Sequence, residues 1–297
     1  MSIIIKTIGG LGNQLFQYAF GKAVSKKLGV NLLLDIDTSV IYQGLRVHKF
    51  CLRSFHTKVE EAKNSNVYGF VWLRRHKRIF NFLYHSLRLK KFTSSFYFPE
   101  KKFSFDENVF KQKDNMYFDG FWQTEKYFID IENELRKEFT IVEPLSDYSK
   151  NISNEIKKTN AISLHVRRTD YVTHSISNEF HGVCSPQYYS NTIKYMTDRI
   201  ESPHFFIFSD DYDWVVENFK SLKYPITFIK NGPEKNYEDL TLMSQCKHHI
   251  IANSSFSWWG AWLNPEKNKI VIAPKQWHKN APKINTVDLL PDDWIRL

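Results

Sequence analysis

The chain has 297 residues, a net charge of +9, and 42% hydrophobic and 16% aromatic residues, which suits two domains with buried cores. No apolar run approaches the roughly 20 residues that a membrane span needs, and the isoleucine-rich N-terminus reads as a first strand rather than a signal peptide, because it lacks a cationic n-region and a small-residue cleavage site. Cys51, Cys184 and Cys246 are odd in number and widely spaced, which argues against a disulfide framework or a thiolate metal site and fits a reduced, cytoplasmic setting.

In chain order, residues 2–8 read as a strand, GGLGNQ at residues 9–14 as a glycine-rich turn, residues 15–28 as a helix stopped by Gly29, and residues 30–36 as a second strand. Such a unit is a common backbone cradle for an anion or a sugar, which makes Gly10, Gly12, Asn13 and Gln14 candidate binding residues. The third glycine of the dinucleotide fingerprint is missing. Asp35 and Asp37 end the second strand; pairs of this kind hold a divalent ion in metal-dependent sugar transferases, but here arginines further along the chain already offer the countercharge. Residues 71–102 carry nine Lys or Arg against Glu100, a net of +8, interleaved with aromatic residues. A basic amphipathic helix there suits an anionic membrane surface, nucleic acid, or a solvated helix whose aromatics face a core. Residues 116–122 read as a strand and 127–140 as a helix. Pro144 and Ser146 then mark a boundary between domains at residues 1–148 and 149–297.

The half from residue 151 onward is close to neutral, with 17 Lys or Arg against 16 Asp or Glu. Strands at residues 161–166, 205–209, 226–230, 249–252 and 269–273 alternate with helices at 187–200, 214–222, 237–246 and 256–263. That pattern predicts an α/β domain with a parallel, doubly wound sheet. Ligands of such sheets bind beyond the carboxyl ends of the strands, where Arg167, Asp210, Asn253, Ser254 and Ser255 fall. Guanidinium groups match phosphate oxygens bidentately and stay charged. Alternation points Arg167 and Arg168 to opposite faces, so one of them reaches a ligand; the plainer alternative is ion pairing to acids such as Asp170. Ser254 and Ser255 open a helix and face an anion, or merely cap it. Asp210 accepts hydrogen bonds only, which suits the donor edge of guanine, or caps the next helix. The sum is a guanine nucleoside diphosphate with a group attached. Trp258, Trp259 and Trp262 read as core or as a sugar platform, and the adjacent His248 and His249 do not make a metal site.

Four blocks, GGLGNQLFQYAFG, HVRRTDY, FSDDYDWV and IIANSSFSWWGAWLNP, together resemble the bacterial α-1,2-fucosyltransferases of glycosyltransferase family 11. The likeness runs from Gly9 to about Pro265 and is weakest over residues 42–113. It implies an inverting, metal-independent transfer of L-fucose from GDP-β-L-fucose to the 2-hydroxyl of a terminal galactoside. It also implies the GT-B architecture: two Rossmann-like domains facing across a cleft, the N-terminal one on the acceptor side and the C-terminal one binding GDP-fucose. The resemblance puts Arg167 on the β-phosphate as the main catalytic residue, with His165, Arg168, Asp210, Asn253, Ser254 and Ser255 in the donor site. Gly10, Gly12, Asn13, Gln14 and His181 fall on the acceptor side. Likeness to the GNQ segment of protein O-fucosyltransferases puts Asn13 beside the reacting sugar. Asp170, His181 and Asp37 are the candidate bases for the acceptor hydroxyl. The expected partners are GDP-fucose and a galactoside, lipid-linked if the pathway is O-antigen assembly, with peripheral contact to an anionic membrane and no nucleic acid. No metal or other cofactor is implied. The alternatives are another GDP-sugar transferase or, from a different class, a basic nucleic-acid-binding protein.

Overall fold

Apolar strands that alternate with amphipathic helices bury both faces of a sheet, and this chain does so twice. A computed structural model describes residues 1–36, 49–62, 96–169, 182–279 and 285–297. It divides into one unit of Met1–Phe139 with Val287–Leu289 and a second of Thr140–Thr286 with Leu290–Leu297.

The first unit holds a parallel sheet of order β2-β1-β4-β3, with β1 at Ser2–Thr7, β2 at Asn31–Ile36, β3 at Tyr97–Pro99 and β4 at Tyr117–Asp119. Helix α1, Leu11–Leu28, carries the chain from β1 to β2 and buries Leu15, Phe16, Ala19, Phe20 and Val24. It begins before the expected residue 15, so Gly12, Asn13 and Gln14 ride on its first turn instead of in a loop. Gly21 lets α1 lie close to the sheet: a Cβ there would stand 2.5 Å from Ile5 Cγ1 and 2.7 Å from Leu32 Cδ1. That is the close-packing job a third fingerprint glycine performs elsewhere. The short β3 was not expected, and the helix expected at residues 127–140 is two 3₁₀ turns followed by α2, Glu132–Glu138.

The second unit has a parallel sheet of order β10-β9-β8-β5-β6-β7. Its strands are β5 Asn160–Val166, β6 Pro203–Ser209, β7 Ile226–Phe228, β8 His248–Ile250, β9 Val271–Ala273 and β10 Ile295–Arg296. The helices are α3 Asp147–Lys157, α4 Pro186–Thr197, α5 Tyr212–Phe219, α6 Asn236–Gln245 and α7 Ser255–Leu263. On β5, Ile162, Leu164 and Val166 pack with α4 residues Tyr189, Ile193 and Met196 and with Val215 and Phe219 of α5. Ala161, on the other face, joins Ile152 and Ile156 of α3, Phe206 and Phe208 of β6, and Leu242 and Met243 of α6. Helix α3 was not expected. Capped by Ser146, it buries its apolar stripe in the second unit, which is why the units part at Phe139 and not after residue 148. Trp258, Trp259 and Trp262 are buried and stack among themselves and on Trp294, so they are core and not a sugar platform.

Strand order locates the ligand crevices. In the second sheet the chain runs from β5 outward through β6 and β7, then returns to β8 on the opposite side of β5. In the first, β2 lies on one side of β1 and β4 on the other. The reversals fall between β5 and β8 and between β1 and β4, and crevices open beyond the carboxyl ends of such strands. Among the described residues, no helix is long and apolar enough to cross a membrane. Of the basic stretch at 71–102, only residues 96–102 lie within the described residues.

Candidate active site

At the carboxyl end of β5, alternation continues past the last strand residue. Arg168 turns to the α5 side, where its guanidinium lies 4.1 Å from the centre of the Trp214 ring and its Nε donates to Asp211 at 3.1 Å. That gives Arg168, expected at the donor, a packing role against α5. Arg167 continues the face of His165. Its Nε pairs with Asp210 Oδ2 at 3.3 Å, and its side chain stays 27% exposed, so the cation is anchored without being sealed.

Asp210, just past the end of β6, is fully engaged with this exit. Its Oδ1 accepts from Arg168 N at 2.8 Å, and its Oδ2 accepts from Thr169 N at 3.1 Å and from the Thr169 hydroxyl. Burial alone would raise its pKa; the Arg167 charge and these donors outweigh that and hold the carboxyl below its ordinary value. Such a carboxylate orients Arg167 and stiffens the loop, and it has little acceptor capacity left for a guanine edge. Asp211, the other acid of the pair, caps α5 through Trp214 N.

His165 is buried at the end of β5. Its Nδ1 has no hydrogen-bond partner among the described residues, and its ring stands 5.7 Å from that of Phe256 at the start of α7. Burial, with a smaller push from Arg167 against the pull of Asp210, drives its pKa down to about 3, so the imidazole is neutral at any working pH. A neutral ring with an unpartnered nitrogen beside a fixed cation offers one directed hydrogen bond. Ser254 caps α7, its Oγ accepting from Phe256 N at 3.3 Å. Ser255 is the first residue of that helix, whose N-terminal end favours negative charge. Asn253 serves the loops: its Nδ2 donates to Gly182 O and Trp277 O, each at 3.2 Å, and its Oδ1 accepts from the Cys184 thiol at 3.5 Å. It ties them together from a buried position at the end of the strand where the donor was expected.

In the first unit, Gly9 adopts φ +82°, and a Cβ there would come within 2.6 Å of Asn13 Nδ2. Only glycine gives this turn and this clearance together. Gly10 is the N-cap of α1, and its carbonyl accepts from Asn13 N and Gln14 N. Gly12 is buried in the first turn. Gln14, expected on the acceptor side, is a buried staple: its Nε2 donates to Gly9 O and Lys49 O at 2.8 and 2.9 Å, and its Oε1 accepts from Cys51 N at 2.9 Å. Asn13 is half-buried and accepts at Oδ1 from Gln123 Nε2 at 2.8 Å. Asp35 is buried and accepts from the Tyr117 hydroxyl at 2.7 Å. Asp37, Asp170 and His181, the candidate bases, lie outside the described residues.

Sequence reasoning missed Thr169, Gln17 and Gln123. Gln17 bridges the loops after β1 and β4, accepting from Ile8 N at 3.0 Å and donating to Gly120 O at 3.2 Å. The signal was present: Gln123 follows a predicted strand in a parallel sheet, where ligands gather.

Two Rossmann-like parallel sheets, each with a polar constellation beyond its central strand, define a GT-B glycosyltransferase. The comparisons agree. The family model of glycosyl transferase family 11 matches residues 2–297, and the chain belongs to that family. It is 37% identical to the Escherichia coli alpha-1,2-colitosyltransferase, over all of this chain and 99% of that protein. It is 33% identical to the Escherichia coli O-antigen biosynthesis glycosyltransferase WbnK, over 97% and 98% of the two chains. Human galactoside alpha-(1,2)-fucosyltransferase 1 is 26% identical, over 48% of this chain and 42% of the human one. Among solved structures, the fold resembles that of the NodZ alpha-1,6-fucosyltransferase soaked with GDP-fucose, with a TM-score of 0.52 over 89% of this chain and 92% of that one, at 14% identity.

Proposed function

We propose that this enzyme transfers L-fucose, with inversion, from GDP-β-L-fucose to the 2-hydroxyl of a galactoside in a surface polysaccharide such as O-antigen. The observation that carries the reading is Arg167: a partly exposed guanidinium, oriented by Asp210, at the reversal point between β5 and β8 and beside neutral His165. As the glycosidic bond breaks, negative charge builds on the departing GDP. A fixed cation at the β-phosphate stabilises that charge more in the transition state than in the ground state. The N-terminal end of α7, with Ser254 and Ser255, adds donors and a favourable dipole. Arg167 supplies the countercharge that a divalent ion supplies in other transferases, so the reading includes no metal requirement. Asn13 is assigned to the reacting sugar. The acceptor's proton goes to solvent or to Asp170, His181 or Asp37. Peripheral attachment through the basic residues 71–102, close to a lipid-linked acceptor, belongs to the same reading.

A colitosyl donor is the second reading, favoured by the whole-chain identity with the colitosyltransferase. Colitose is fucose without its 3-hydroxyl. A site that hydrogen-bonds that hydroxyl rejects the sugar lacking it by roughly 10⁴–10⁵, whereas a pocket that merely tolerates it discriminates only about 10²-fold. The test is GDP release from GDP-fucose and from GDP-colitose, with and without lactose, in excess EDTA, and with the linkage of the product assigned by NMR. Lactose-dependent release in EDTA with a 1,2-linked product is the expected result. Strict dependence on added Mn²⁺ would overturn the metal-free mechanism, and release from GDP-colitose alone would move the donor assignment.

A further inference from the structure

The loop after β4 is built around an unusual residue. Trp122 has φ +57°, a left-handed conformation that is a real outlier for a bulky side chain. Such strain persists only where surroundings over-determine it, and here they do. The Trp122 ring stacks on Phe20 of α1, with centroids 4.1 Å apart and planes 4° from parallel. The Glu100 carboxylate, at the end of β3, accepts from Phe121 N at 2.7 Å and from Trp122 N at 3.1 Å. Thr124 N closes the turn onto Trp122 O at 2.9 Å, and Gln17 holds Gly120 O. The product of this construction is the direction of Gln123. From the carboxyl end of β4, across the reversal point from β1, its amide donates to Asn13 Oδ1 at 2.8 Å.

We propose that Gln123 is a positioning residue for the reaction: it fixes the orientation of the Asn13 amide, so that the Asn13 Nδ2 edge is the one presented to the sugar. An asparagine amide has two nearly isosteric edges of opposite hydrogen-bonding sense. A donor that always takes Oδ1 removes the flipped state. Gly9 complements this on the Nδ2 side, since any Cβ there would collide with that nitrogen. The inference rests on the proposed role of Asn13 beside the reacting sugar.

Four full-length variants test it: Gln123→Met, Gln123→Glu, Asn13→Ala and the double variant Asn13→Ala/Gln123→Met. Each is assayed for kcat and KM with GDP-fucose and lactose, for GDP affinity by calorimetry, and for Tm. A lost or inverted orienting contact costs roughly 10- to 100-fold, so both Gln123 variants are expected to lose that much in kcat with GDP affinity unchanged. Gln123→Glu is also expected to be the poorer of the two, because its carboxylate draws Nδ2 toward itself and turns the amide over. The double variant is expected to be no slower than Asn13→Ala. Multiplicative losses in the double variant, or full activity in Gln123→Met while Asn13→Ala is impaired, would overturn the positioning role and leave the Asn13 assignment standing. Full activity in Asn13→Ala while Arg167→Ala is inactive would instead remove Asn13 itself from the mechanism, and the positioning role with it. If Gln123→Met unfolds, the isosteric Gln123→Glu carries the test, and wild-type kcat in that variant would overturn the proposal.

Discussion

The two reversal points of this molecule differ in what their loops add. Beyond β5 the chain gathers charge: Arg167 and Asp210 form a pair, and Arg168 and Asp211 form another. Beyond β1 and β4, where the Lys6–Asp119 pair ties the two strands together, the loops gather neutral amides, namely Gln14, Gln17, Asn13 and Gln123. The difference matches what the proposed reading asks of each sheet. A diphosphate needs fixed charge that survives partial burial, and an arginine braced by a carboxylate provides it. A sugar presents hydroxyls, which are discriminated by directed neutral hydrogen bonds at little desolvation cost. One architecture, used twice, is specialised by side-chain chemistry at equivalent places.

The sharpest way to break this comparison is at the charged end. Arg167→Ala should fold normally and lose at least about 10²–10³ in kcat/KM, the usual cost of removing one transition-state donor. Arg167→Lys should rescue little, because a point charge cannot reproduce the fork. Steady-state kinetics with a thermal melt checks both. Asp210→Asn should cost less, roughly tenfold, since Arg167 remains but is no longer paired; a Tm drop without a kinetic change would show Asp210 to be structural only. Arg168→Ala should do the reverse, lowering stability by about 1 kcal/mol through the lost Trp214 stacking and Asp211 pair while leaving GDP affinity nearly intact. Two adjacent arginines would then separate into one binding and one packing residue.

The smallest expected effect is a contrast in pH response. In the second unit, burial pushes His165 and His249 down to about 3, from an ordinary value of 6.5. Between those limits the unfolded chain binds more protons, so their contribution is full above pH 6.5 and is lost as the pH falls. Asp239, raised by burial to about 7, opposes one of the two. In the first unit burial raises Glu100 to about 7 from 4.5, so there the folded form binds the extra proton and stability falls as the pH rises across that window. Hydrogen exchange of β1 and β4 amides against β5 and β8 amides, at pH 5 and pH 7, should show opposite trends. Glu100→Gln should remove the trend in the first unit.

Much of the second unit was legible in the sequence. Its strands are apolar on both faces and its helices are punctuated by Ser-Pro, Asp-Asp and Asn-Ser-Ser, so the order of elements and the residues at the strand ends could be read directly. What each of those residues does could not. Arg167 and Arg168 are chemically identical in sequence, and only Trp214, placed by α5, separates them. Asp210 had the right chemistry for guanine but is consumed by Arg168 N, Thr169 and Arg167. Asn253, at a strand's carboxyl end, and Gln14, in a glycine-rich turn, were legible as candidate contacts; that both satisfy buried backbone groups was not, because that demand arises only once the chain is folded. In the first unit the short β3 exists through its pairing with β4 some 20 residues on, and the stacking of the left-handed Trp122 on Phe20 and the Gln123–Asn13 bond join residues more than a hundred positions apart, beyond the reach of any local pattern.

The central claim is that Arg167 holds the donor diphosphate. Its most direct test is calorimetric titration of GDP into the wild-type protein, Arg167→Ala and Arg168→Ala, all in excess EDTA. The account predicts that GDP binds the wild type and Arg168→Ala with similar affinity and that Arg167→Ala loses most of that affinity. Undiminished GDP binding by Arg167→Ala, or loss of binding in Arg168→Ala with Arg167 in place, would contradict it.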